Sequence, residues 1–399
     1  MALRIVATTP NPALVTLPWT TTLEEWGEDV VISLPLGLSR HVVRIVRLDH
    51  DVYAVKQTRE PIAFGEYRLL RDLRRLDLPA VEPVGVVAGR VDAEGRDIEP
   101  ALVTRHLQFS LPYRALFSHG VPAESLPKLV DALVVLLVRL HLDGFFWGDV
   151  SLSNVLFRRS AGEFVAYLVD AETGELHQTL TAGQRAHDLD VATTNIFGEL
   201  LDLQAGELLD ADADTFAIIE LVQQRYDALW AELTATEEFG TDQMWRIERR
   251  IERLNDLGFD VDELDIVTDL GGSTVRMQPQ VVEAGHHRRE LMRLTGMDVE
   301  DNQARRLLND LAAFTAHFDL GGEDRDVVAH RWLTTIYEPV TAMIPPGLRA
   351  RLQPAEVFHQ VLEHRWYLSE QAGHEVDIFE TARAYVADVL SRRSDEATL

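Results

Sequence analysis

The chain has 399 residues, no cysteine and a formal net charge of −27, from 65 acidic against 38 basic residues. Without cysteine it can form no disulfide, thiolate metal site or cysteine nucleophile. So acidic a chain disfavours nucleic acid and anionic membranes as partners, because long-range repulsion opposes their approach. Hydrophobic residues make up 46% of it, enough for sizeable cores and, at this length, for two domains or more.

The opening MALRIVATTPNPALVTLPW lacks the charged start and sustained apolar run of a signal peptide. A cytoplasmic protein is expected, with residues 1–27 as an N-terminal extension. Residues 28–107 then alternate as strands do: DVVISLPL, HVVRIVRL and DVYAVKQT, a helix FGEYRLLRDL that opens near Glu66, then VEPVGVVAG and IEPALVTRHL. Turn signals at Leu36-Gly37-Leu38-Ser39, Asp49-His50-Asp51 and Ala93-Glu94-Gly95 separate them.

From Leu126 the chain reads as a long helix, LPKLVDALVVLLVRLHLDGFF, with Pro127 in its first turn. Lys128, Asp131 and Arg139 make this most apolar run too polar to span a bilayer, so no membrane span is expected. A hairpin follows, VLFRR and FVAYLVD around a Ser-Ala-Gly-Glu turn, and it ends in Asp170. Further on, Asp188 and Asp190 lead into VATTNIFGELLDL. One of them is expected to cap that helix and tie it back to the segment before the hairpin. Residues 208–399 read as mainly helical, with one hairpin, DIVTDLGGSTVRMQPQVV, turning at Gly271-Gly272.

The chemistry lies between the long helix and the hairpin's end. Asp149 and Asn154 stand five residues apart, and Asp170 follows at the close of the strand pair. Phosphoryl transfer needs such a set: a carboxylate to accept a hydroxyl proton, and an amide and a carboxylate to hold magnesium against nucleotide phosphates.

Trp147-Gly148-Asp149 through Asn154 resembles the HGD-x-x-x-x-N loop of lipopolysaccharide kinases and aminoglycoside phosphotransferases. The resemblance implies Asp149 as base, with Asn154 and Asp170 as magnesium ligands, although Ala171-Glu172 replace the Phe-Gly that usually follows. YAVK is similar to the kinase V-A-I-K strand. Ala54 would then lie on the adenine face, Lys56 would reach the α/β-phosphates, and Glu66 would pair with Lys56. Gly37 is the only glycine of the expected phosphate-covering loop, where Ser39 or Arg40 could supplement it. Thr104, Arg105, His106 and Leu107 would present the hinge to adenine. Ser151 stands where protein kinases commonly carry a lysine.

The implied fold class is α+β: a protein-kinase-like bilobal fold with an antiparallel β N-lobe (28–107) and a helical C-lobe (108–207). A mainly helical domain of unknown function (208–399) follows, a pairing that resembles one actinobacterial family. The implied cofactors are ATP and Mg2+. The implied partners are the nucleotide and a small-molecule or glycolipid hydroxyl, because the segment after Asp170 is short and lacks A-P-E. Two alternatives stay open: a pseudokinase that recruits a protein partner through its C-terminal domain, and an enzyme that transfers AMP.

Rival sites are few. Arg288, Arg289, Arg305 and Arg306, with Asn302, Gln303, Asn309 and Asp310 nearby, read either as a phosphate or acidic-ligand site or as solvated helix faces with local ion pairs. No HExxH, G-x-S-x-G or G-x-x-x-x-G-K-[ST] motif occurs.

Overall fold

The computed structural model describes residues 3–8, 11–34, 40–49, 51–118, 125–210, 212–240, 245–268, 274–393 and 395, with the backbone alone at 237–240, 256, 260–268 and 274–283. The described residues form two compact units. The first comprises those up to Arg158 together with Val165–Arg225, and the second comprises Arg159–Phe164 together with those from Tyr226 onward.

The first unit opens with β1 (Arg4–Ala7), β2 (Val42–Leu48), β3 (Asp51–Gln57), α1 (Glu60–Arg75) and β4 (Pro83–Ala88). The short pair β5 (Arg90–Val91) and β6 (Asp97–Ile98) leads to β7 (Ala101–Arg105). The larger strands make one antiparallel sheet in the order β1-β4-β7-β3-β2. α1 begins with Pro61 in its first turn and turns Ala63, Glu66, Tyr67, Leu70 and Leu73 inward. Their spacing of three and four residues sets Glu66 on the buried face of the helix.

The DVVISLPL segment, expected as the first strand, differs. Over its described residues it makes only the isolated bridge Val31–Val46 and the bond from Ile32 N–H to Ile45 O. A turn precedes the bridge, with the Val30 and Val31 amides both donated to Gly27 O. The fifth strand comes instead from Arg4–Ala7, paired with Gly85–Ala88. Behind it, Leu14, Trp19, Leu23 and Trp26 pack on Val46, Tyr53, Val55 and Val103, so the N-terminal residues cover one face of the sheet.

After β8 (Ser110–Pro112) and α2 (Tyr113–Ser118), α3 (Leu126–Leu142) runs through the helical lobe with eleven of its residues buried. β9 (Phe145–Phe146), β10 (Val155–Ser160), β11 (Glu163–Leu168) and β12 (Glu175–Leu176) follow, then α4 (Ala182–Ala205). Ala161 and Gly162, at φ of 53° and 81°, turn the β10–β11 hairpin in the left-handed region that tight hairpins require. Leu168 bonds both ways to the segment before β4: its N–H to Pro79 O, its carbonyl to Val81 N–H. That fixes the hairpin's end, and hence Asp170, beside the sheet.

The chain continues through α5 (Thr215–Thr234), β13 (Glu237–Gly240), α6 (Trp245–Asp256), β14 (Phe259–Thr268) and β15 (Thr274–Ala284). It ends with α7 (His286–Thr295), α8 (Asp301–His317), α9 (Arg325–Trp332), α10 (Glu338–Ala342), α11 (Pro354–Ala372) and α12 (Ile378–Asp388). β14 and β15 are the expected hairpin; its Gly271-Gly272 turn lies outside the described residues. Trp332, Phe358, Tyr337 and Leu311 centre the helical core of this second unit. In its polar stretch, Arg288 pairs with Asp298 at 2.7 Å, Gln303 is buried, and Asp310 accepts the Trp332 indole N–H at 2.8 Å. No described helix is long and apolar enough to cross a membrane.

Candidate active site

α4 holds the loop that carries Asp149. Its residues 188, 195 and 199 are spaced by seven and four, which puts Asp188, Asn195 and Glu199 on one helical face. Asp188 is fully buried; it accepts the Trp147 and Gly148 N–H groups at 2.8 and 2.7 Å and faces His141 Nε2 at 3.1 Å. Burial keeps that imidazole below its ordinary pKa against the pull of Asp188, which fits a neutral ring donating from Nε2. Glu199 accepts the Leu152 and Ser153 N–H groups, both at 2.8 Å. Between them, Asn195 Nδ2 reaches Asp149 Oδ1 at 3.3 Å and Val150 O at 3.0 Å. The expected N-cap is corrected: α4 starts at Ala182, capped by Thr181 with Gln184, and Asp188 lies two turns inside it. Its tie to the loop is as expected.

Within the loop, Trp147, Val150 and Leu152 are buried, while Asp149, Ser153 and Asn154 line a cleft of about 890 Å³. Asn154 Nδ2 donates to Asp149 O at 2.9 Å and approaches Asp149 Oδ2 at 3.3 Å, which leaves its Oδ1 available as an oxygen donor. Trp147 Nε1–H donates to Asp170 O at 3.1 Å and Thr173 Oγ1 to Trp147 O at 2.8 Å, stitching the Asp170 segment to the loop.

Across the cleft, Lys56 Nζ lies 3.0 Å from Glu66, 2.8 Å from Asp170 and 3.2 Å from Glu172. Burial pulls the ammonium down, but these carboxylates outweigh it and hold the pKa above its ordinary value. Burial pushes the Glu66 carboxyl up against the attraction of Lys56. Glu66, Asp170 and Glu172 are the one group of described carboxylates close enough to share a metal ion. The Lys56 ammonium lies within 3.2 Å of all three.

Of the residues picked out from sequence, Ala54, Lys56, Thr104, Arg105, His106, Leu107, Asp149, Asn154 and Asp170 all line the one cleft. Glu66 is buried behind Lys56. Gly37 and Ser39 lie outside the described residues. At the hinge, the Arg105 and His106 amides are donated to Glu82 O and Val52 O, both at 2.8 Å. Sequence reasoning named Arg40 only as a supplement to the phosphate-covering loop, and it missed the contacts that reach Asp149 and Lys56 from afar: Arg40, whose NH2 lies 2.7 Å from Asp149 Oδ2; Asn195; and Glu172, which also faces His41 at 2.8 Å. Only the α4 stripe left a readable trace, the spacing of Asp188, Asn195 and Glu199.

Burial, with Arg158 nearby, pushes the His106 imidazole down to about 4 from 6.5. As pH falls through 6.5 the unfolded chain takes up this proton before the folded one, so stability present above that pH is lost toward about 4. In urea unfolding, His106→Gln is expected to lose less stability across this window than the parent, by on the order of 1–3 kcal/mol after solvent screening. Equal losses in both proteins would refute the assignment.

Residues 41–205 match the family model described as Lipopolysaccharide kinase (Kdo/WaaP) family, and residues 228–390 match Domain of unknown function (DUF4032). Two curated relatives, 3-deoxy-D-manno-octulosonic acid kinases of Stenotrophomonas maltophilia strains K279a and R551-3, are each 29% identical over 164 residues, 39% of this chain. The chain spans 61% of the length of these relatives. A solved structure, WaaP in complex with acyl carrier protein, aligns at 17% identity with a TM-score of 0.35, over 56% of this chain and 99% of that one. On the family matches, a lipopolysaccharide-kinase-like region is followed in this chain by a C-terminal domain of unknown function.

Proposed function

We propose that the chain is a kinase-like phosphotransferase that moves the γ-phosphoryl group of ATP to a hydroxyl of a sugar or glycolipid. The observation that supports this best is the single cleft into which Lys56, Asp149, Asn154 and Asp170 all project. The match of residues 41–205 to a family of sugar-lipid kinases supports the acceptor class.

Adenine lies against Ala54 and the hinge, where the committed Arg105 and His106 amides leave that of Leu107 to meet it. Lys56, held by Glu66, reaches the phosphates. The acceptor oxygen attacks the γ-phosphorus as the bond to the β-phosphate bridging oxygen breaks, and its proton passes to Asp149. Asn195 and Asn154 hold that carboxylate in place. The Asp170 carboxylate and Asn154 Oδ1 are hard oxygen donors of the kind magnesium takes; when bound, the ion would neutralise phosphate charge. The domain from residue 208 onward is the proposed recogniser of the acceptor or of a protein partner, and the whole acts in the cytoplasm.

One observation favours a second reading as a pseudokinase: Arg40 occupies Asp149, and Ser151 adds no charge beside it. Incubation of the protein and candidate sugar lipids with ATP labelled at the γ or the α position separates the cases. Label from the γ position alone on the acceptor is the expected result. Label from the α position would mean AMP transfer, and bound but unconsumed ATP would mean a pseudokinase.

A further inference from the structure

We propose that Arg40 is the cation that neutralises the phosphoryl group in transit, leaving Asp149 for the γ-phosphate oxygens once ATP is bound. The inference rests on the phosphotransferase reading above.

The transferring group spreads negative charge over its three equatorial oxygens, and catalysis consists mainly of meeting that charge with fixed cations. Among its described residues the cleft is poor in them. Lys56 is already shared among three carboxylates. Arg44 donates to Leu23 O and Val43 O, and Arg105 pairs with Asp51 and Glu82. His41 faces Glu172, and burial keeps His106 neutral at ordinary pH. Ser151, beside the catalytic carboxylate, carries no charge, and its Oγ is turned back to the Asn154 N–H at 3.3 Å.

Arg40 is different. Among the described cationic side chains of the cleft it is the one paired with Asp149 itself, at 2.7 Å across 109 residues of sequence. Its side chain is 74% exposed, so moving it costs little desolvation, and exposed pairs of this kind hold weakly. A γ-phosphate entering beside Asp149 offers the guanidinium a multiply charged partner with matching fork geometry. The exchange also clears the Asp149 oxygen that must receive the acceptor's proton. As the acceptor oxygen bonds to the γ-phosphorus and ADP departs with the bridging electron pair, Arg40 balances the equatorial charge without taking a proton.

The test uses the full chain and needs no acceptor. Affinity is measured for ADP alone and for ADP with aluminium fluoride, each with magnesium, in the parent and in Arg40→Ala and Arg40→Lys. Arg40→Ala is expected to keep its ADP affinity within about twofold, which also shows that it folds. It is expected to lose on the order of 10²–10³-fold in affinity for the fluoride complex. Arg40→Lys, with the charge but not the fork, should fall between the two. Equal losses for both ligands, or no loss for either, overturn the role of Arg40 and leave the kinase reading standing. A parent that binds neither ligand overturns that reading and this inference with it.

Discussion

Asp170→Ala is expected to remove the gain in nucleotide affinity that magnesium gives the parent, while Asp149→Asn keeps that gain and loses turnover by about 10²–10⁴-fold. The two carboxylates sit in one cleft but face different work. Asp170 bonds Lys56 at 2.8 Å and receives the Glu172 N–H at 3.0 Å, so it belongs to the wall that would face phosphates. Asp149 is held on the opposite side by Asn195 and Asn154, and it touches no part of the Lys56 cluster among the described contacts. Calorimetric titration of ADP with and without magnesium reads the first effect, and release of labelled phosphate from ATP reads the second. Two variants that match the parent in both measurements would contradict the division of labour.

Asp188→Ala is expected to be the most destabilising single change in the site, by about 2–5 kcal/mol. The carboxylate is fully buried with His141, and it accepts the buried Trp147 N–H and the part-buried Gly148 N–H. Truncation strands those donors and frees the loop that positions Asp149, so activity should fall with stability. For a domain of this size the first thermal transition should drop by roughly 2–4 °C per kcal/mol. Asp190→Ala is the control: Asp190 is exposed, and surface changes stay within about 0.5 kcal/mol. Equal effects from the two substitutions would mean that Asp188 acts only as a helix-end residue.

The proposed catalytic set was legible because each member has a local signature. Lys56 ends an alternating strand, Glu66 sits on the apolar face of the next helix, and Asp149, Asn154 and Asp170 are fixed by a loop and a hairpin whose lengths can be counted. What escaped depends on contacts distant in sequence. Arg40 and Asn195 stand 109 and 46 residues from Asp149, and nothing in their neighbours announces the contact. Asp188 has the composition of a cap, but its burial beside His141 is decided by how α4 packs against α3. The sheet shows the same limit: DVVISLPL alternates as well as RIVA does, and only packing decides which of them pairs over its whole length. Trp147 makes the complementary point, since its indole N–H serves the Asp170 carbonyl directly.

The most direct check is a crystal structure of the full chain soaked with a non-hydrolysable ATP analogue and magnesium. The account predicts phosphates beside Lys56, one cation touching both Asp170 and Asn154, and Arg40 moved from Asp149 to the terminal phosphate. A nucleotide bound elsewhere, or phosphates in this cleft with no cation at Asp170, would contradict it.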